Sequence, residues 1–190
     1  FAILRVIPNI TIISPCDAVE MKKMMLQTEN YKGPVYIRLG RGGDKIITDQ
    51  NSEALIGKAV QLIKPFEQVF ITTGITTQIA LDAVKTLDKE NIKVGLIHLN
   101  TVKPLDEEFL SVALKTSKFA ITVEEHSIIG GMGSSILEMV NKNKINNVQI
   151  ERVGIPDNFV EKYGSQETLL KHWKIDSKNL ALKMKKLIKN

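Results

Sequence analysis

A parallel α/β sheet covered by helices on both faces is the fold class this sequence predicts, and two observations predict it. Apolar, β-branched runs alternate with amphipathic segments at short spacing over most of the chain, as βαβ crossovers require. Within residues 76–87, Thr76, Ile79, Ala80, Ala83, Val84 and Leu87 recur at the i, i+3, i+4, i+7 spacing of one helix face.

The elements follow in order. An apolar helix end runs into ITIIS (10–14), a β-branched strand. Asp17 with Glu20 three residues on is a capping-box-like start for a helix carrying Met21, Met24 and Met25 and ending near Asn30. Lys32, Gly33 and Pro34 make a turn into the strand VYIRL (35–39). The stretch GRGGDKIITDQNSE (40–53) is glycine-rich, polar and aperiodic, and reads as a linker. Beyond it come the strand QVFITTG (68–74), the helix 76–87, the strand KVGLIHL (93–99) and a helix opened by acidic residues (105–117). The strand FAITVEE (119–125), a helix over 134–140, the strand NVQIERV (147–153) and a closing helix over 176–188 complete the pattern, the last with Leu180, Met184, Leu187 and Ile188 facing inward. There is no internal repeat and no low-complexity segment.

With 190 residues and 43% hydrophobic content the chain has one domain of ordinary size and part of another. The formal charge of +5 is spread along the chain except in LKMKKLIKN at the end, and no aromatic-basic interleaving accompanies it, so a nucleic-acid partner is not expected. Cys16 is the single cysteine, so no intrachain disulfide forms. No apolar run approaches the roughly 18 residues of a membrane span and no secretory leader is visible, which makes a cytoplasmic location the default. The chain opens at Phe1 in mid-pattern, and a fragment of a longer protein is the expectation.

Two stretches carry candidate chemistry. EEHSIIGGMGSSI (124–136) puts Glu124, Glu125 and His126 at the carboxyl end of a strand, where ligands of such sheets sit, with glycines leading into a helix N-terminus that attracts anions. Its G-G-x-G pattern is neither a dinucleotide fingerprint nor a P-loop, so the glycines read equally as turn and packing residues. No serine or cysteine nucleophile lies beside His126, and His98, His126 and Cys16 lack metal-ligand spacing. Arg41, among Gly40, Gly42 and Gly43, is either a bidentate fork for phosphate or carboxylate or a solvated loop arginine. Arg38, inside a strand, reads as a structural ion-pair partner.

The stretches LRVIPNITIISPCDAVE, GPVYIRLGR, TTGITTQIALDA, NTVKPLD, TVEEHSIIGGMGSSILE, RVGIPDNFVEKYGS and LLKHWKID, in this order and spacing, resemble the C-terminal part of transketolase-like thiamine diphosphate enzymes over essentially the whole chain. The resemblance implies that residues 1–45 are the last part of a pyrimidine-binding α/β domain, 46–53 a linker, and 54–190 the transketolase C-terminal domain. That domain is a three-layer α/β/α unit whose mostly parallel sheet of about five strands has one antiparallel edge. GKAVQLIKP (57–65) suits that edge. It further implies that Arg41 binds the phosphate of a sugar substrate, and that Glu125 and His126 lie near a channel or interface.

The family's catalytic glutamate, its cofactor-stacking aromatic residue and its Gly-Asp-Gly magnesium motif have no counterpart here; GGDK (42–45) has the wrong order. Thiamine diphosphate and Mg2+ therefore belong to a complete enzyme, as a homodimer or with a subunit carrying the diphosphate-binding domain, and this chain alone is expected to be inactive. The activity implied is transfer of a two-carbon ketol unit between phosphorylated sugars. A 1-deoxy-D-xylulose-5-phosphate synthase, a pyruvate-dehydrogenase-type β subunit and a non-catalytic assembly or regulatory module are the alternatives.

Overall fold

The computed structural model describes residues 1–40, 44–51 and 53–189. In chain order the elements are α1 (Ala2–Arg5), β1 (Thr11–Ile13), α2 (Ala18–Thr28), β2 (Val35–Ile37), β3 (Val60–Ile63), β4 (Gln68–Thr72), α3 (Thr76–Asp88), β5 (Gly95–His98), β6 (Thr101–Lys103), α4 (Glu107–Thr116), β7 (Phe119–Ser127), α5 (Met132–Lys142), β8 (Gln149–Ile155), α6 (Gln166–His172) and α7 (Ser177–Lys189).

Five strands form one sheet in the order β3-β5-β4-β7-β8. All neighbours are parallel except β3, which runs antiparallel to β5 along the edge. The segment GKAVQLIKP thus supplies the antiparallel edge that the resemblance implied. Because side chains alternate across a strand, β4 sends Phe70 to one face and Val69 and Ile71 to the other. On the first face Phe70, Leu96, Ile121 and Val123 pack against α3, α6 and α7 through Ala83, Leu87, Leu170, Leu180, Met184 and Leu187. On the second face Val69, Ile71 and Ile97 pack against α4 and α5 through Leu110, Leu114, Ile136 and Met139. The result is the three-layer α/β/α unit.

A second, three-stranded sheet has the order β2-β1-β6, with β1 parallel to β2 and antiparallel to β6. A small core of Ile13, Met24 and Ala54 lies beside it. Residues 47–51 and 53–56 run along α2. The Asp17 carboxylate caps that helix by accepting from the Glu20 N–H (2.9 Å), and also accepts from the N–H groups of Ile47 and Thr48 (both 2.8 Å). Gln27 donates to the Ala54 carbonyl and accepts from the Ile56 N–H.

Some details depart from the sequence reading. β6 and α6 were not foreseen, β7 runs on to Ser127 and so takes in His126, and α5 starts at Met132. The capping box is half formed, because the Glu20 carboxylate turns away from the Asp17 N–H to the Cys16 N–H (2.8 Å) and to His98 (2.8 Å).

Candidate functional site

From β4 the chain crosses to β5 on one side and returns through β6 and α4 to β7 on the other, so the strand order reverses beside β4, and the crevice at the carboxyl ends there is where such sheets bind ligands. Residues from the first forty positions occupy it. The Ser14 carbonyl accepts from the Gly74 N–H (3.2 Å), and the Ser14 N–H donates to the Asn100 carbonyl (2.8 Å). Gly74 has φ +56°, and a Cβ there would stand 2.9 Å from the Ser14 hydroxyl, so this approach needs glycine.

Period-two alternation along β7 splits the three candidate residues between two faces. Glu124 and His126 face α5. Glu124 is fully buried, and its Oε2 accepts from the Gly133 N–H (3.3 Å). The anion attracted by this helix N-terminus is therefore the protein's own carboxylate. Burial pushes the Glu124 carboxyl up to about 7, against the opposing pull of the Gly133 and Met132 N–H groups and of Arg152. Burial likewise pushes His126 down to about 4, and Arg38 adds to the same effect. The His126 Nε2 lies 3.4 Å from the Glu124 Oε2, and the Phe1 ring meets the imidazole edge-on at 4.4 Å. Glu124 Oε1, Thr122 Oγ1 and His126 Nε2 are buried without a hydrogen-bond partner among the described residues. The glycines pack around this group: a Cβ on Gly131 would stand 2.3 Å from the Glu124 Oε2, and one on Gly133 would stand 2.6 Å from the Thr122 hydroxyl.

Glu125 faces the end of β2 and the start of α6 instead. Its Oε1 accepts from the Arg38 Nε (3.1 Å) and its Oε2 from the Gln166 side chain (2.8 Å). Arg38 thus forms the ion pair expected of it. The pair joins the end of β2 to the end of β7, and Gln166 adds the start of α6.

A second buried cluster lies one strand away and was missed in the sequence. The Glu20 Oε2 is 2.8 Å from the His98 Nε2, the His98 Nδ1 is 2.8 Å from the Thr77 hydroxyl, and Thr77 is 2.9 Å from Thr72. Burial works against the Glu20 carboxylate, yet the charge and hydrogen bond of His98 and the Cys16 N–H hold it below the usual range. Burial, with Glu20 and Asp17 adding to it, pushes the Cys16 thiol up, so it stays protonated and is no nucleophile. The polar His98 and Asn100 within the apolar stretch GLIHLN were the signal for this cluster, and the Asn100 side chain donates to the Glu20 Oε1 (3.3 Å).

Arg41 lies outside the described residues. Its described neighbours Leu39, Gly40 and Asp44, together with Pro15, Asp17 and Met21, line a cavity of about 170 Å3. Among the described residues the three-member group able to hold a metal is Cys16, Glu20 and His98. A diphosphate-bound magnesium wants oxygen ligands in octahedral array, and this thiol, imidazole and single carboxylate, bonded to one another, do not fit it. No helix is long and apolar enough to cross a membrane among the described residues.

Comparison with known proteins identifies the family and the fold. The family model described as the transketolase C-terminal domain matches residues 57–180. A putative transketolase C-terminal section from Methanocaldococcus jannaschii is 36% identical over 182 residues, spanning 95% of this chain and 56% of that protein. A 1-deoxy-D-xylulose-5-phosphate synthase from Listeria welshimeri is 36% identical over 188 residues, spanning 97% of this chain and 30% of its own length. Among solved structures, a split-gene transketolase described as an inactive β4 tetramer superposes with a TM-score of 0.91 at 29% identity, over 99% of this chain and 61% of that one. A transketolase from Pichia stipitis, with a TM-score of 0.74 at 20% identity, shares the fold.

Proposed function

Since this chain belongs to the transketolase C-terminal-domain family, we propose that it is the C-terminal portion of a transketolase-type enzyme that moves a two-carbon ketol unit between phosphorylated sugars. It spans 56% of the archaeal relative, 30% of the synthase and 61% of the split-gene structure, so the whole activity needs residues beyond these. The observation that carries the reading is the filled crevice at β4 and β7. It is closed by Ser14, Arg38 and Glu125, which hold β1 and β2 against the five-stranded sheet.

The loop after β2 contains Arg41. A guanidinium there would bind the distal phosphate of the sugar and orient its reacting carbon through binding energy spent far from the chemistry. Thiamine diphosphate supplies the carbanion chemistry when bound, and the groups that hold it and Mg2+ would come from another segment or chain. In this chain Glu125 holds the Arg38 side of the loop in place, while Glu124 and His126 support the turn into α5. Assembly as a homodimer or with a diphosphate-binding subunit follows from the same division of labour, and the tetramer described for the split-gene relative is in keeping with it.

The second reading, a 1-deoxy-D-xylulose-5-phosphate synthase, is favoured by the 36% identity over 97% of this chain. Reconstituting the chain with a diphosphate-binding partner, thiamine diphosphate and Mg2+ separates the two. Ketol transfer from a phosphorylated ketose to a phosphorylated aldose supports the first, formation of 1-deoxy-D-xylulose 5-phosphate the second. Absence of both in a complex shown to be assembled leaves an assembly module.

A further inference from the structure

A cavity of about 650 Å3 opens between the edge strand β8 and the helices α6 and α7, on the side of the molecule that Arg152 and Gly154 line. It falls in the size range of small-ligand sites. Arg152, Lys174, Lys183 and Lys186 line it and no carboxylate does. Lys183 and Lys186 lie three residues apart and so share one face of α7. Lys174 sits in the left-handed conformation (φ 59°) between α6 and α7.

Two of these charges are already used: Lys183 pairs with Glu151 at 2.7 Å, and Arg152 donates to the Ile128 carbonyl and the Ser134 hydroxyl. Lys174 and Lys186 have no carboxylate within ion-pair distance among the described residues. The wall is otherwise apolar, with Ile128, Val153 and Leu182, and it includes Trp173, against which His172 packs edge-on at 4.7 Å. The Trp173 indole N–H is buried without an acceptor among the described residues. Leaving a buried donor unpaired is costly, and in a cation-lined cavity an acceptor oxygen of a ligand would relieve it.

We propose that this cavity binds a small phosphate ester. The phosphate is held by Lys174 and Lys186, and the organic part lies against Val153, Leu182 and the indole. Trp173 turns slightly to give its N–H to a ligand oxygen. A phosphate matches two unpaired ammonium groups better than a single carboxylate, and the apolar wall has use only for an organic body. The proposal stands apart from the assignment of the reaction, because it uses none of the residues invoked there.

Trp173 is the single tryptophan of the chain, so its fluorescence reports this cavity directly. The 190-residue chain is titrated with adenosine 5′-monophosphate, with adenosine and inorganic phosphate as separate arms, and the affinities are checked by calorimetry. The expected result is a saturable change with the nucleotide, at least tenfold weaker with either fragment. Lys174→Glu and Lys186→Glu, with circular dichroism unchanged, should each weaken binding about tenfold or more, and Lys186→Arg should retain it. No saturable change, or one indifferent to both charge reversals, would overturn the proposal. Equal affinity for inorganic phosphate would overturn the ester and leave a plain anion site.

Discussion

The Nε2 of His126 lies 3.4 Å from the Oε2 of Glu124 while its Nδ1 sits 3.0 Å from the Ser127 carbonyl. A carbonyl can only accept, so Nδ1 carries the ring proton and Nε2 turns a lone pair toward the carboxyl group. That contact is favourable when Glu124 is protonated, in keeping with the position of its carboxyl at about 7 and of His126 at about 4. The linkage signs oppose each other. Glu124, raised from 4.5, contributes stability that is full below that value and lost as pH rises through about 7. His126, lowered from 6.5, contributes stability that is full above that value and lost as pH falls through about 4. Between about pH 4.5 and 6.5 the two cancel. Urea unfolding at a series of pH values should therefore show little slope from this pair in the native chain. Glu124→Gln should gain stability from pH 4 to 6.5 and His126→Phe should lose it from pH 4.5 to 7, each by up to about 3 kcal/mol. Parallel profiles in all three proteins would refute the two opposed titrations.

Gly131→Ala tests the packing role of the glycine run. The new methyl would stand 2.3 Å from the fully buried Glu124 Oε2 and 2.6 Å from the half-buried His126 ring. A loss of about 1–3 kcal/mol is expected from overpacking. The exposed Gly164, where the nearest atoms are at 3.0 Å on the Thr168 side chain, should tolerate alanine within about 0.5 kcal/mol. Thermal melts of the two variants measure the difference.

The Glu20 and His98 side chains are both fully buried and 2.8 Å apart. Removing either leaves the other as an uncompensated buried polar group, so Glu20→Ala and His98→Ala should each cost about 3–5 kcal/mol. The double variant should cost less than the sum, with a coupling of about 1–3 kcal/mol in a double-mutant cycle by urea unfolding. Additivity would mean that the contact contributes nothing of its own.

For Arg41, Arg41→Ala in the reconstituted enzyme should raise KM for phosphorylated substrates and lower kcat/KM by about a hundredfold, equivalent to about 3 kcal/mol, while an unphosphorylated analogue is affected little. Equal losses for both substrates would remove its assignment to the phosphate.

The three-layer unit was legible because its strands are long apolar runs and its helices carry a full face of periodic residues, as in 76–87. The edge strand β3 was legible only through resemblance, since AVQLIK has no clean alternation. α6 is seven residues long, too short for a helical period to show, and β6 follows β5 after two residues and joins a different sheet. The candidate site was half legible. Glu125 and His126 were paired because they are adjacent, yet alternation in a strand that continues to Ser127 gives His126 to Glu124 and Glu125 to Arg38. What hid this is the pairing of Ser127 with Ile155, a tertiary fact that lengthens the strand past its apolar run.

The antiparallel pairing of β1 with β6 ties residues on either side of the 46–53 stretch into one ladder. Anyone grafting the later part of this chain onto a relative, or choosing where to cut the gene, should not look for the seam where the polypeptide loses its periodicity. A chimera joined there would break that ladder's match and strand Thr101 and Lys103 against a foreign neighbour. A junction ahead of Asn9 would carry the whole ladder across intact.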